Sequence, residues 1–156
     1  PLSIYVNLNT MSIKVKIINR SNNALPAYKT KGSSGMDVRA YVTDTIHIKP
    51  MERVLVKTGL SLEMEMGIEC QVRPRSGLAL KQGLTVLNTP GTIDADYRGE
   101  IGVILVNLSN QTVLIETGDR IAQLVFARTE YADLVSVNET NNSDRGSGGF
   151  GSTGIK

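Results

Sequence analysis

Apolar and polar residues alternate with a period of two along most of this chain, and Gly, Asn, Asp or Pro interrupts the pattern about every ten residues. Successive side chains on a strand point to opposite faces, so each such run can bury one face and wet the other. The runs include Ile13-Lys14-Val15-Lys16-Ile17, residues 45–49, Arg53-Val54-Leu55-Val56-Lys57 and Ile68-Glu69-Cys70-Gln71-Val72-Arg73. Shorter or mixed runs follow at 84–87, 101–108, 112–115, 121–127 and 134–137. Turn chemistry falls between them, at Lys49-Pro50, Glu65-Met66-Gly67, Ser109-Asn110 and Thr117-Gly118-Asp119. Only Ser76-Gly77-Leu78-Ala79-Leu80-Lys81-Gln82 reads as a helix, with Ser76 suited to cap its start and Gly83 its end. A strand–helix–strand rhythm is absent, which argues against a doubly wound parallel sheet. The expected fold is all-β: one antiparallel sandwich or barrel domain with a single short helix.

Composition narrows the chemistry. At 156 residues the chain is long enough for one self-sufficient core, burying roughly 68–70% of its unfolded surface. Seventeen Lys and Arg against 15 Asp and Glu leave a net charge of +2, which disfavours a polycation held to nucleic acid by bulk charge. Aromatics at 4% and no Trp disfavour a stacking platform for single strands. One cysteine, Cys70, excludes an internal disulfide and a cysteine zinc cluster, and one histidine, His47, excludes a His pair. Cys70 alternates with Ile68 and Val72 and reads as a small core residue, while His47 falls on the polar face of its run. The available chemistry is that of carboxylates, Arg, hydroxyls and backbone. No run reaches the roughly 18 apolar residues of a membrane span. Residues 1–10 lack the basic and apolar regions of a signal peptide and read as an extension ahead of Met11, so the expected location is cytoplasmic.

Residues 138–154 differ from the rest, with Phe150 the only large apolar side chain among Gly, Ser, Thr and Asn. So little burial cannot offset an ordering entropy of about 1–2 kcal/mol per residue, and composition alone suggests a floppy terminus. An isolated Phe near Arg145 and Ser152-Thr153, in glycine-rich backbone, also suits an arm that clasps a ligand. The match of residues 146–151 to G-x-G-x-x-G carries no weight, because no strand leads closely in and no helix can follow.

Four further segments carry chemistry. Arg73-Pro74-Arg75-Ser76-Gly77 ends a strand at a helix start, where free N–H groups and a forked guanidinium suit an anion. Asn88-Thr89-Pro90-Gly91-Thr92-Ile93-Asp94-Ala95-Asp96-Tyr97-Arg98-Gly99-Glu100 holds two carboxylates two residues apart, which share a face if the segment is extended. Such proximity raises one pKa unless a cation or water intervenes, and one of the pair is a candidate general base. Ser34-Gly35-Met36-Asp37-Val38-Arg39-Ala40 and Gly118-Asp119-Arg120-Ile121-Ala122-Gln123 add another carboxylate and an inward Gln.

In this order, the four segments and the Gly-rich tail resemble the five motifs of the trimeric deoxyuridine triphosphatase (dUTPase) family, over residues 11–154. The resemblance implies a jelly-roll-like β-clip fold, with a domain over 11–138 and a flexible substrate-clasping arm over 139–156. It implies Mg²⁺-assisted hydrolysis of dUTP to dUMP and pyrophosphate, which supplies dUMP for thymidylate synthesis and keeps uracil out of DNA. Asp94 would deprotonate the attacking water, and Asp37 would hold Mg²⁺ through the ion's waters. Arg75, Ser76, Gly77 and Gln123 would line the α- and β-phosphates. Tyr97 would stack on the deoxyribose, and Asn88 with Gly91, Thr92 and Ile93 would read the uracil edge. Arg145 would meet the phosphates, Phe150 would cover the base, and Gly151, Ser152 and Thr153 would grip the γ-phosphate. The implied assembly is a homotrimer with shared sites, without nucleic acid or membrane as partner. A dCTP deaminase-like enzyme of the same fold and a catalytically silent dUTP-binding trimer are the alternatives.

Overall fold

A computed structural model describes residues 12–150. In chain order its elements are β1 (Lys16–Asn19), β2 (Met36–Arg39), β3 (Ile46–Ile48), β4 (Arg53–Lys57), β5 (Leu60–Glu63), β6 (Ile68–Arg73) and α1 (Ser76–Gln82). They continue as β7 (Leu84–Val86), β8 (Gly91–Ile93), β9 (Gly102–Asn107), β10 (Val113–Ile115) and β11 (Arg120–Arg128). Every ladder is antiparallel. The largest sheet runs β2-β11-β6-β8, a second runs β4-β9-β7, and β1-β5 and β3-β10 form two-stranded ladders. The all-β expectation holds, and of its two architectures the closed barrel is not formed: the ladders among the described residues remain open sheets.

Alternation explains most of this. Along β6, Ile68, Cys70 and Val72 are buried while Glu69 and Gln71 are half-buried. Central β11 buries Ile121, Ala122, Leu124 and Val125, a nearly continuous apolar stretch suited to a strand covered on both faces. Its register shifts between Arg120 and Ala122, which re-aims the strand beside β2. The core joins Val38, Val56, Leu105, Ile121 and Leu124 from both larger sheets.

Cys70 is fully buried, as expected, and burial foremost, with the Glu69 charge second, pushes its thiol up to about 12. The folded chain therefore keeps this proton while the unfolded one loses it near the ordinary value of 9.0. Folding stability falls as pH rises from that value toward 12. At pH 8 an alkylating reagent should modify Cys70 only after denaturant unfolds the chain, because the thiolate is the reactive form. Native labelling at the rate of a free thiol would contradict this. His47 is exposed, as its place in the alternation required.

Two expectations need correction. Ser76 is not the helix cap. It is the first helical residue of α1, and Arg75 occupies the cap position in extended conformation, its side chain turned to Asp37 instead of to the helix. Gly83 does close the helix, with a left-handed φ of 62° and its N–H on Ala79 O. Nor are residues 134–137 a strand. They pair with nothing among the described residues, and Leu134, Val135 and Val137 stand 90%, 76% and 61% exposed. An alternating run becomes a strand only when a neighbouring edge takes up its backbone groups. No helix among the described residues is long and apolar enough to cross a membrane.

Candidate active site

The segment from Asn88 to Glu100 shapes a pocket of about 290 Å³ at the edge of the β2-β11-β6-β8 sheet. Its strand, β8, lies on β6 with Gly91 opposite Val72. A Cβ at position 91 would lie 3.2 Å from Val72 Cβ and 3.2 Å from Asn88 Nδ2, so glycine permits this close approach. After Ile93 the chain turns, and Tyr97 N donates to Asp94 O at 3.1 Å. That turn breaks the alternation. Asp94 lines the pocket with Tyr97 and Asp96 does not, although both carboxylates border a second cavity of about 410 Å³ beside Glu69 and Tyr131.

The segment's exit is anchored to the β4–β5 turn. Glu100 Oε1 accepts from Gly59 N at 2.8 Å, Ile101 N donates to Leu60 O at 2.7 Å, and Thr58 Oγ1 donates to Ile101 O at 2.7 Å. The expected base- and sugar-reading residues Asn88, Gly91, Thr92, Ile93 and Tyr97 thus meet Asp94 around one pocket. Leu55, Val72 and Ile104 supply apolar wall, and Glu100 supplies a second acid. Most pockets for small molecules combine apolar walls with a few placed polar groups.

The expected phosphate residues gather elsewhere. Asp37 on β2 stands opposite Gln123 on β11, which stands opposite Arg73 on β6. Asp37 is gripped by two guanidiniums: Arg75 Nε donates to Oδ1 at 3.0 Å and Arg120 Nη1 to Oδ2 at 3.0 Å. Arg75 Nη1 also donates to Arg120 O at 3.0 Å, joining the helix start to β11. Gln123 Nε2 donates to Pro74 O at 2.9 Å, while its Oε1 sits where a Cβ on Gly35 would fall 2.3 Å away. Ser76 and Gly77 are exposed beside this cluster.

Three ladder steps and several residues of register separate the Asp37 cluster from Asp94, roughly 20 Å at usual strand spacings. One chain therefore does not bring them together. Arg145 and Phe150 are exposed and do not line the pocket; Arg145 Nε donates to Gly148 O at 2.8 Å within a local turn. Gly151, Ser152 and Thr153 lie outside the described residues.

Sequence reasoning missed Leu55, Ile104, Glu100 and Arg120. The first two had a signal, since Leu55 is paired with Ile104 in register and both occupy positions that alternation turns away from the core. Arg120 stood in a quoted segment without a role, and its partner Asp37 is 83 residues distant in sequence.

Open antiparallel sheets, a small edge pocket with a carboxylate at its rim and a separate arginine cluster place this chain in an all-β class, apart from the strand–helix–strand folds that hold phosphates at a helix start. The family model described as dUTPase matches residues 21–154. Deoxyuridine 5'-triphosphate nucleotidohydrolase of Cytophaga hutchinsonii is 57% identical over 149 residues, covering 96% of this chain and 97% of that protein. The protein of the same name from Treponema denticola is 60% identical over 131 residues, covering 84% and 91%. The chain belongs to the dUTPase family. Among solved structures, a variant of the Staphylococcus bacteriophage 80alpha dUTPase with dUpNHpp superposes with a TM-score of 0.81 at 25% identity, covering 92% of this chain and 100% of that one. A phage phi11 dUTPase variant described with a structural Mg(II) ion shares the fold, with a TM-score of 0.74 at 22% identity and coverage of 83% and 99%.

Proposed function

We propose that this chain hydrolyses dUTP to dUMP and pyrophosphate at sites assembled from three copies of itself. The observation that carries the reading is the pocket joining Asn88, the Gly91–Ile93 strand, Asp94 and Tyr97. Asp94 takes a proton from water whose oxygen attacks the α-phosphorus. The bond from that phosphorus to the bridging oxygen breaks, and pyrophosphate leaves. Tyr97 stacks on the sugar, and the Asn88–Ile93 segment reads the uracil edge, its rigid wall excluding a 5-methyl group. A neighbouring copy's Arg75, Ser76, Gly77 and Gln123 take the α- and β-phosphates. The roughly 20 Å between the two groups within one chain supports this sharing, as do the exposed apolar residues of 134–137. A third copy's arm, residues 139–156, brings Arg145, Phe150, Gly151, Ser152 and Thr153 over the nucleotide and excludes water.

Mg²⁺ fits the residues present. Among the described residues no three acids or histidines cluster, so an all-protein cage is lacking. Asp37 is a single carboxylate whose oxygens each accept one arginine bond and keep a further lone pair for a metal-bound water. That donor set suits an ion held chiefly by substrate phosphates. When bound, the ion neutralises phosphate charge and helps align it for displacement. A cytoplasmic location completes the reading.

The deciding experiment incubates the protein with each dNTP and with UTP, with and without Mg²⁺, and assays pyrophosphate. We expect release from dUTP alone, lost on chelation and restored by Mg²⁺. Ammonia from dCTP would instead indicate a deaminase, and tight dUTP binding without pyrophosphate a silent binder.

A further inference from the structure

We infer that Gly99 is a positioning residue, which seats the Tyr97 ring at its place in the wall of the nucleotide pocket. The inference deepens the dUTP reading and rests on its placement of Tyr97 against the sugar. A Cβ at position 99 would fall 2.3 Å from Tyr97 Oη, 2.4 Å from Cζ and 2.9 Å from Cε2. The ring therefore lies directly on the Gly99 backbone, and any side chain there would occupy its space. Backbone conformation does not demand glycine at this position. The glycines with positive φ among the described residues are 59, 67, 83, 118 and 146, and Gly99 is not one of them. What requires glycine is the aromatic ring.

Tyr97 lines the pocket and Gly99 does not, so a side chain at position 99 would act on the pocket through the ring. The next residues are fixed, by Gly59 N on Glu100 Oε1 at 2.8 Å and by Ile101 N on Leu60 O at 2.7 Å. The ring is 44% exposed, and its hydroxyl donates a single 3.1 Å bond to Glu100 O. A methyl group at position 99 thus displaces the ring and leaves the backbone in place. The ring then leaves the position in which it lines the pocket.

The test is a double-mutant cycle of Gly99→Ala and Tyr97→Ala, read by dUTP KM and by calorimetric binding of the non-hydrolysable analogue dUpNHpp. Gly99→Ala should raise KM and the analogue's Kd at least tenfold, within the range of ~10²-fold losses that a misplacement of about 1 Å can cause. In the Tyr97→Ala background the same substitution should change either value by less than about twofold, because no ring remains to be displaced. The inference is overturned if Gly99→Ala binds like wild type, or if its effect persists without the Tyr97 ring. Should Gly99→Ala fail to fold, recovery of folding in the double variant supports the seat, and failure of the double variant overturns it. Wild-type protein that neither turns over dUTP nor binds the analogue would defeat the functional reading itself, a result distinct from any of these.

Discussion

Replacing Asp94 with Asn should lower kcat for dUTP by about 10²–10⁴-fold, the usual contribution of a positioned general base. The substitution keeps the side chain's size and removes its capacity to take a proton from water. Folding should survive, because Asp94 is exposed and the turn it begins is held by its backbone oxygen, to which Tyr97 N donates at 3.1 Å. Affinity for dUpNHpp should stay within a few-fold of wild type, since the loss concerns the attacking water. Steady-state kinetics beside analogue binding checks both halves. Retention of most of the wild-type turnover would remove Asp94 from the role of base and leave Glu100, the other acid on the pocket wall, as the next to examine.

Ending the chain after Asn142 should give the second large loss. Within the described span, residues 143–150 are held by local contacts: Gly146 N on Ser143 O at 3.0 Å, Gly148 N on Arg145 O at 3.1 Å and Arg145 Nε on Gly148 O at 2.8 Å. None of these reaches the core, so the truncated chain should unfold within about 0.5 kcal/mol of the full one, as is usual for changes remote from packed features. Yet kcat/KM for dUTP should fall by on the order of 10²-fold, because positioning by the arm and exclusion of water are lost together. Denaturant melts, sizing and turnover of the truncated chain decide it. Unimpaired hydrolysis would end the lid role, and loss of the folded trimer would make the arm structural instead.

The fold was legible wherever one face of a strand meets the core and the other meets water. β4 and β6 appear near their expected places for that reason, while β9 and β11 announced themselves as longer apolar runs. β5 was passed over although Leu60-Ser61-Leu62-Glu63-Met64-Glu65 alternates; in the fold only buried Ser61 departs from the pattern. β8 escaped notice as well, since it is only three residues long, opens on strand-depleted Gly91 after Pro90, and takes its strand conformation from pairing with β6. The segment 134–137 failed in the opposite sense: a good pattern without a partner among the described residues.

The site was legible as motifs and illegible as geometry. The turn after Asp94 brings Tyr97 and only the first of the two carboxylates to the nucleotide pocket, which spacing did not foretell. The clamp of Asp37 between Arg75 and Arg120 depends on ladders that join residues far apart in sequence, so local spacing offered no sign of it. Gly99 shows a related limit. A turn glycine is ordinarily explained by its own dihedral angles, whereas here the reason belongs to a side chain two positions earlier.

The distance between the Asp94 pocket and the Asp37 cluster has a consequence for mixed populations of molecules. If each copy lends its acid to one cleft and its arginines to the next, a damaged copy spoils every cleft it touches. Activity then declines faster than the fraction of faulty chains, and two differently crippled proteins can together build a working cleft that neither builds alone.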